Sequence, residues 1–112
     1  MTQARLATGA LVNALVRRAN RAGGFATVLA KGDATAGAVL VVAQDRGQLV
    51  RLWERGIGPS GNVELIAVGP EGDAQALTEY WAKRRRNDPD LWVVELDIPQ
   101  AERFAAETLI GD

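Results

Sequence analysis

The chain has 112 residues, 47% of them hydrophobic, which is enough to bury one core and form one domain. Its 13 Lys and Arg side chains nearly cancel its 14 Asp and Glu side chains, so net charge does not attract it to nucleic acid or to an anionic membrane. It contains neither Cys nor His. This excludes disulfides, serine triads, Cys-His pairs and His-ligated zinc, and leaves only oxygen ligands for a metal.

An amphipathic helix is predicted from about Ala4 to Ala22, because apolar residues recur every four positions along it. Two glycines follow and end the helix, and Arg17, Arg18 and Arg21 in its last turns complement the helix dipole. The apolar centre is too short to span a membrane and is not followed by a convincing cleavage site. We therefore expect a soluble, cytoplasmic protein.

Four β-strands are predicted next, in the segments "FATVLAK", "GAVLVVAQD", "QLVRLWERG" and "VELIAVGP". Turn-forming residues separate them at intervals of about ten residues, which predicts a four-stranded antiparallel meander. The first two segments are predicted to pair with each other. The second is apolar on both faces and is therefore expected to lie in the centre of the sheet.

Alternation along the third strand places Val50 and Leu52 toward the core. The opposite face carries Leu49, Arg51, Trp53 and Arg55. Two arginines around a tryptophan could form a platform for stacking and charge. Alternatively, helices cover part of this face and the arginine stems lie along the indole ring.

A second helix is predicted with its N-cap at Asp73 and its end near Asn87, because Pro89 disfavours helical geometry at the residue before it. The segment "DLWVVELD" is predicted as a fifth strand, followed by a short helix from Pro99 to about Leu109. The sequence thus predicts an α+β fold in a single two-layer domain: N-terminal helix, four-stranded antiparallel meander, helix, fifth strand and short C-terminal helix.

The most glycine-rich connection is "AKGDATAG", at residues 30–37. Its Gly32-Asp33 pair could direct a carboxylate or backbone amides at a ligand. It is not a phosphate-binding loop, because no lysine and hydroxyl pair opens a helix after it. The alternative is a hairpin in which Asp33 bonds its own backbone.

Two groups of charged residues allow further hypotheses. Arg84, Arg85 and Arg86 could form a basic patch with the arginines of the first helix, if the two helix ends are neighbours. An acidic group follows them, consisting of Asp88, Asp90, Glu95 and Asp97. Glu95 and Asp97 point the same way in a strand and could hold a hard cation or share a proton, but pairing with the arginines would also explain them.

Three segments resemble a family of small alphaproteobacterial proteins, domain-of-unknown-function family 1491: "RRANRAGGFATVLAKGDATAGAVLV", "QLVRLW" and "DPDLWVVELD". The resemblance covers nearly the whole chain and is less clear after Asp97. It implies a single cytoplasmic bacterial domain, and it brings no assigned reaction or ligand. It draws attention to Arg17, Arg18, Gly32, Asp33, Gly37, Asp88, Pro89, Asp90, Leu91 and Trp92.

The leading hypothesis is a small binding or protein-interaction module without catalytic activity or a cofactor, with a protein or small-molecule partner and no membrane. The alternatives are nucleic-acid binding through an arginine patch, which the near-neutral charge argues against, and a carboxylate- or divalent-metal-dependent hydrolase using Asp33 with Glu95 or Asp97. Homodimerisation is expected if a sheet face stays uncovered. The candidate binding surface comprises Arg17, Arg18, Asp33, Arg51, Trp53, Arg55, Arg84, Arg85, Asp88, Asp90 and Trp92.

Overall fold

The computed structural model describes residues 6–110, apart from the side chains of residues 49 and 50. Its elements are α1 (Thr8–Arg21), β1 (Phe25–Ala30), β2 (Val39–Asp45), β3 (Gln48–Ile57), β4 (Val63–Val68), α2 (Ala74–Asn87), β5 (Trp92–Asp97) and α3 (Ala101–Leu109). The α+β class and the predicted order of elements are confirmed. The predicted helix start at Ala4 and the predicted orientations of Leu49 and Val50 fall outside the described residues.

The strand order in the sheet is β1-β5-β2-β3-β4. β5 is antiparallel to β1 and parallel to β2, so the predicted β1–β2 pair does not form and only β2, β3 and β4 make an antiparallel meander. The physical reason is burial. β2 and the first half of β5 are apolar on both faces and pair with each other in the interior, whereas β1 is left at the edge.

Helices cover both faces of the sheet, which corrects the prediction of two layers. Val94 and Leu96 of β5 pack in a cluster with residues of α1 and α3. Val93 points the other way and packs with Leu77 of α2. Because the central strands are apolar on both sides, each face needs its own covering layer.

Local signals place the ends of α2 as predicted. The carboxylate of Asp73 accepts a hydrogen bond from the N–H of Gln75 over 3.0 Å, as an N-cap does, and the helix ends at Asn87 before the Asp88-Pro89 pair. Within residues 6–110, no helix combines the length and apolarity needed to cross a bilayer.

Candidate functional site

Two loops meet where β5 begins. One is the β1–β2 connection at residues 31–38, called the Asp33 loop below, and the other is the segment 88–91. The N–H of Asp33 donates to the carbonyl oxygen of Asp90 over 3.0 Å, and the indole N–H of Trp92 donates to the carbonyl oxygen of Asp33 over 2.7 Å. Trp92 itself is only 5% exposed. The Asp33 loop and the segment 88–91 therefore pack against each other and form one structural unit.

Glycine is required on the Asp33 loop because the backbone of the other segment approaches so closely. A Cβ atom built at Gly32 would lie 2.1 Å from the carbonyl oxygen of Asp90, and one built at Gly37 would lie 2.0 Å from the same oxygen. Real Cβ atoms do not come that close to an oxygen, so either side chain would push the loops apart.

The carboxylates of the aspartates in this unit form hydrogen bonds within their own loops. The carboxylate of Asp33 accepts hydrogen bonds from the N–H groups of Thr35 and Ala36, over 3.1 and 2.8 Å. The carboxylate of Asp88 likewise accepts from the N–H of Asp90 over 3.1 Å. Both act as turn-forming side chains, which is the local role that competes with ligand binding.

The Asp33 loop also holds the start of α1. The N–H groups of Thr8 and Gly9 donate to the carbonyl oxygens of Thr35 and Ala34, over 3.2 and 2.8 Å. The hydroxyl of Thr8 donates to the carbonyl of Gly37 over 2.8 Å. These bonds satisfy N–H groups that a helix start leaves without partners, since Ala7 at the N-cap has no side-chain acceptor.

Arg84 and Arg85 of α2 are both engaged with the rest of the fold. Arg84 donates two hydrogen bonds to the carboxylate of Glu54 on β3, each 2.8 Å long, and one to the hydroxyl of Tyr80. The hydrogen bonds to Glu54 raise the pKa of Arg84 above its ordinary value. Arg85 donates to the carbonyl of Lys31 over 2.7 Å. Both side chains therefore tie α2 to the sheet and to the Asp33 loop.

Breaking the Arg84 pair is expected to destabilise the fold moderately. Glu54→Gln removes the charge but keeps the shape, and because the pair is only partly exposed we expect a loss of about 1 to 2 kcal/mol in the free energy of unfolding. Urea denaturation measures it. The control is Glu107→Gln, which breaks the more exposed pair with Arg18 and should cost less than about 1 kcal/mol. Equal losses in the two variants would contradict this ranking.

The arginines at the end of α1 are far from those of α2. The guanidinium of Arg18 pairs with Glu107 over 2.9 Å, bonds the hydroxyl of Thr108 and lies 4.5 Å from the ring centre of Phe104, so it joins α1 to α3. Its helix packs on one face of the sheet near the end of β5, while α2 ends on the other face near the start of β5. The two arginine groups do not form one patch.

The face of β3 that was considered as a possible platform is partly covered, which was the alternative. Trp53 packs against the cluster formed with α1 and α3. Arg51 pairs with Glu71 over 3.1 Å, and Arg55 donates to the carbonyl of Leu109 over 3.2 Å. This is the arrangement expected if helices cover the strand, and it leaves no open indole ring between two unpaired arginines.

The carboxylates considered for hydrolysis do not converge. Asp33 lies at the start of β5, and Asp97 ends that strand, roughly 16 Å further along at the rise of an extended chain. Asp97 accepts hydrogen bonds from the N–H groups of Arg46 and Gly47, both 2.9 Å, and so caps the β2–β3 turn. Within residues 6–110, no group of three or more acidic side chains is placed to hold a metal ion.

A groove of about 760 Å³ runs between the start of α1, the Asp33 loop and the end of α3. Leu11, Val39 and Leu109 contribute apolar walls to it. Its charged side chains, Glu54 and Arg55, are already bonded to Arg84 and to a backbone carbonyl. Among the described residues, the groove therefore has no free charged group that could orient a ligand.

The free edge of β1 carries three exposed apolar side chains. Within residues 6–110, β1 pairs only with β5, so no described strand lies beside the backbone groups of its other side. Phe25 is 71% exposed, Val28 40% and Leu29 37%. The six residues Phe25–Ala30 include no charge and no proline, two of the features that protect an edge strand, although the register of β1 against β5 shifts between Val28 and Ala30.

The opposite edge, β4, is better protected. It carries a charge at Glu64, and all of its residues except Val63 are at least half-buried. The contrast identifies β1 as the edge that is more open to pairing with another strand. Sequence reasoning missed it because "FATVLA" was expected to pair with β2. The signal was present in the run's lack of charge, but its edge position depends on β5, far along the chain.

Comparisons with known proteins place these observations in a family. A sequence model described as a protein of unknown function, DUF1491, matches residues 6–106. The crystal structure of a DUF1491 family protein from Caulobacter crescentus is 40% identical over 89% of this chain and 94% of that chain, with a TM-score of 0.78. An NMR structure of a DUF1491 family protein from Caulobacter crescentus is 39% identical over 91% and 94%, with a TM-score of 0.76. The solution structure of protein Atu0922 from A. tumefaciens is 30% identical over 85% and 87%, with a TM-score of 0.64. No curated protein matches the chain.

Proposed function

Since the chain belongs to the DUF1491 family, whose description assigns no reaction, we propose from its geometry that it is a non-catalytic protein-interaction module. Its binding surface is the free edge of β1, where an extended protein segment adds a further strand to the sheet. The observation that carries the proposal is the exposed, charge-free edge at Phe25–Ala30.

Strand addition suits this edge for two reasons. The outward backbone groups of an edge strand supply hydrogen bonds to any extended segment, whatever its sequence. The side chains beside them give selectivity. By its register with Leu96 and Val94, β1 directs Ala26 and Val28 to the face covered by α1 and α3, and Phe25 to the α2 face. A bound strand with apolar residues would cover exposed side chains on both faces.

The α2 face beside β1 adds an acidic feature. Glu95 lies opposite Thr27 in the sheet register and is only partly buried. Among the described residues, no hydrogen bond or ion pair to the Glu95 carboxylate is formed. A segment with a Lys or Arg opposite Thr27 could reach Glu95 across this short side chain, whereas a segment without charge would bind through its backbone and apolar side chains alone.

The other hypotheses receive less support from the geometry. The carboxylates proposed for hydrolysis lie apart, and the arginines proposed for nucleic acid are divided between two faces, with Arg18, Arg84 and Arg85 engaged in the fold. We further propose that the protein works in the cytoplasm, because a chain without Cys suits a reducing compartment.

A charge placed on the edge should abolish binding. We expect Val28→Lys to weaken the affinity for peptides selected from a displayed library of extended sequences by about tenfold or more, because a lysine on an edge strand opposes pairing. The matched control is Val63→Lys on β4, whose native valine is similarly exposed, 46% against 40%. Its affinity should stay within about twofold.

Fluorescence anisotropy of labelled peptides measures both affinities. Failure to select any extended peptide that competes for β1, or equal losses in the two variants, would contradict the proposed function. Circular dichroism of each variant checks that the fold is retained.

A further inference from the structure

We propose that the segment added at β1 is β1 of a second copy of the chain. This rests on the proposed function and names its partner. Two β1 strands would pair antiparallel about a twofold axis normal to the sheet, and the two five-stranded sheets would join into one continuous sheet of ten strands.

The symmetry fixes which residues meet. In an antiparallel pair, two residues directly opposite each other have their side chains on the same face of the sheet. The twofold axis therefore places each residue of β1 opposite either itself or a residue an even number of positions away. With Thr27 on the axis, Ala26 lies opposite Val28 of the second copy, and Phe25 lies next to its Leu29, where the register of β1 shifts. The three exposed apolar side chains of each copy would then contact apolar side chains of the other copy across the interface between the two β1 strands.

Charge also favours a second copy. No like charges face one another within the paired segment, because Phe25–Ala30 contains none. The next charged residue, Lys31, would lie toward Gly23 of the second copy, whose Cα hydrogens face open space. The strand is thus complementary to itself without any change, a property that β4 lacks because Glu64 would approach its own copy.

The size of the interface between the two β1 strands predicts how tightly the two copies associate. A six-residue strand pair with its flanking side chains lies at the small end of specific interfaces, where association is weak and reversible. We therefore expect an equilibrium between the 12.0 kDa monomer and a dimer of twice that mass.

The absence of native cysteine makes a clean test available. In Thr27→Cys, the two introduced residues would face each other across the axis with Cα atoms about 4.5 to 5.5 Å apart, a separation that a disulfide bridges. Thr27 is exposed, so the substitution should not disturb the fold. Under mild oxidation we expect covalent dimers to form at least about tenfold faster than in the β4 control, Val63→Cys.

A second substitution distinguishes a specific pair from random collision. Adding Val28→Lys to Thr27→Cys should lower the cross-linking rate to that of Val63→Cys, because two lysines would then approach across the axis. Cross-linking of Thr27→Cys at the rate of the control, or at a rate that Val28→Lys leaves unchanged, would overturn the second-copy proposal. Peptide binding at β1 in the same preparation would show that the proposed function survives with a different partner.

Discussion

Gly37→Ala is expected to lower the free energy of unfolding by about 2 to 3 kcal/mol. The added methyl group would lie 2.0 Å from the carbonyl oxygen of Asp90 and 3.1 Å from the backbone nitrogen and oxygen of Asp33. All three atoms belong to backbone that cannot rotate out of the way. Relief requires the Asp33 loop to move from the start of β5, which would weaken the hydrogen bonds of Asp33 and Trp92. Urea denaturation followed by circular dichroism measures the loss.

Gly9→Ala is the matched control for this prediction. Gly9 lies in α1, where an added Cβ atom would approach no closer than 3.4 Å to the carbonyl oxygen of Ala34. Alanine favours a helix over glycine, so stability should stay at or slightly above that of the unsubstituted chain. If Gly37→Ala were as stable as Gly9→Ala, the two loops could not be in the close contact described.

Leu77→Ala is expected to cost about 3 kcal/mol and to loosen α2 from the sheet. Leu77 is fully buried and is the single buried residue of that helix. It packs with Leu52 of β3 and Val93 of β5, so its loss leaves a cavity between helix and sheet. Thermal and urea denaturation measure the effect.

Thr78→Ala provides the comparison in the same helix. Thr78 is exposed, and replacing it should change stability by no more than about 0.5 kcal/mol. A loss below about 1 kcal/mol in Leu77→Ala would mean that other contacts hold α2, and that the third layer of the fold does not depend on this leucine.

The sequence predicted the elements well because their signals are local. Apolar spacing marked α1, the N-cap at Asp73 and the Asp88-Pro89 pair marked the ends of α2, and the run after Asp90 marked β5. Strand order is different, because it depends on pairing between segments far apart in the chain. β2 and β5 are both buried on two faces, and nothing local to either strand indicates that they pair.

The candidate surface illustrates the same limit. Charges next to aromatic residues suggested binding, but whether Arg84 faces solvent or Glu54 depends on how α2 packs against β3. The Asp33 loop and the segment beginning at Asp88 were each recognisable as motifs. Their contact became apparent only in three dimensions, since the joining atoms are mostly backbone. β1 was overlooked because an apolar run is equally compatible with a central strand and an edge strand.

The most direct test of β1 as the interaction surface is an NMR titration of the labelled chain with a peptide selected against it. The largest amide shift changes are expected in Phe25–Ala30, with smaller ones in the paired strand Trp92–Asp97. The contradicting result would be changes centred on β4 or on the groove beside Leu11 and Leu109, with the amides of β1 unmoved.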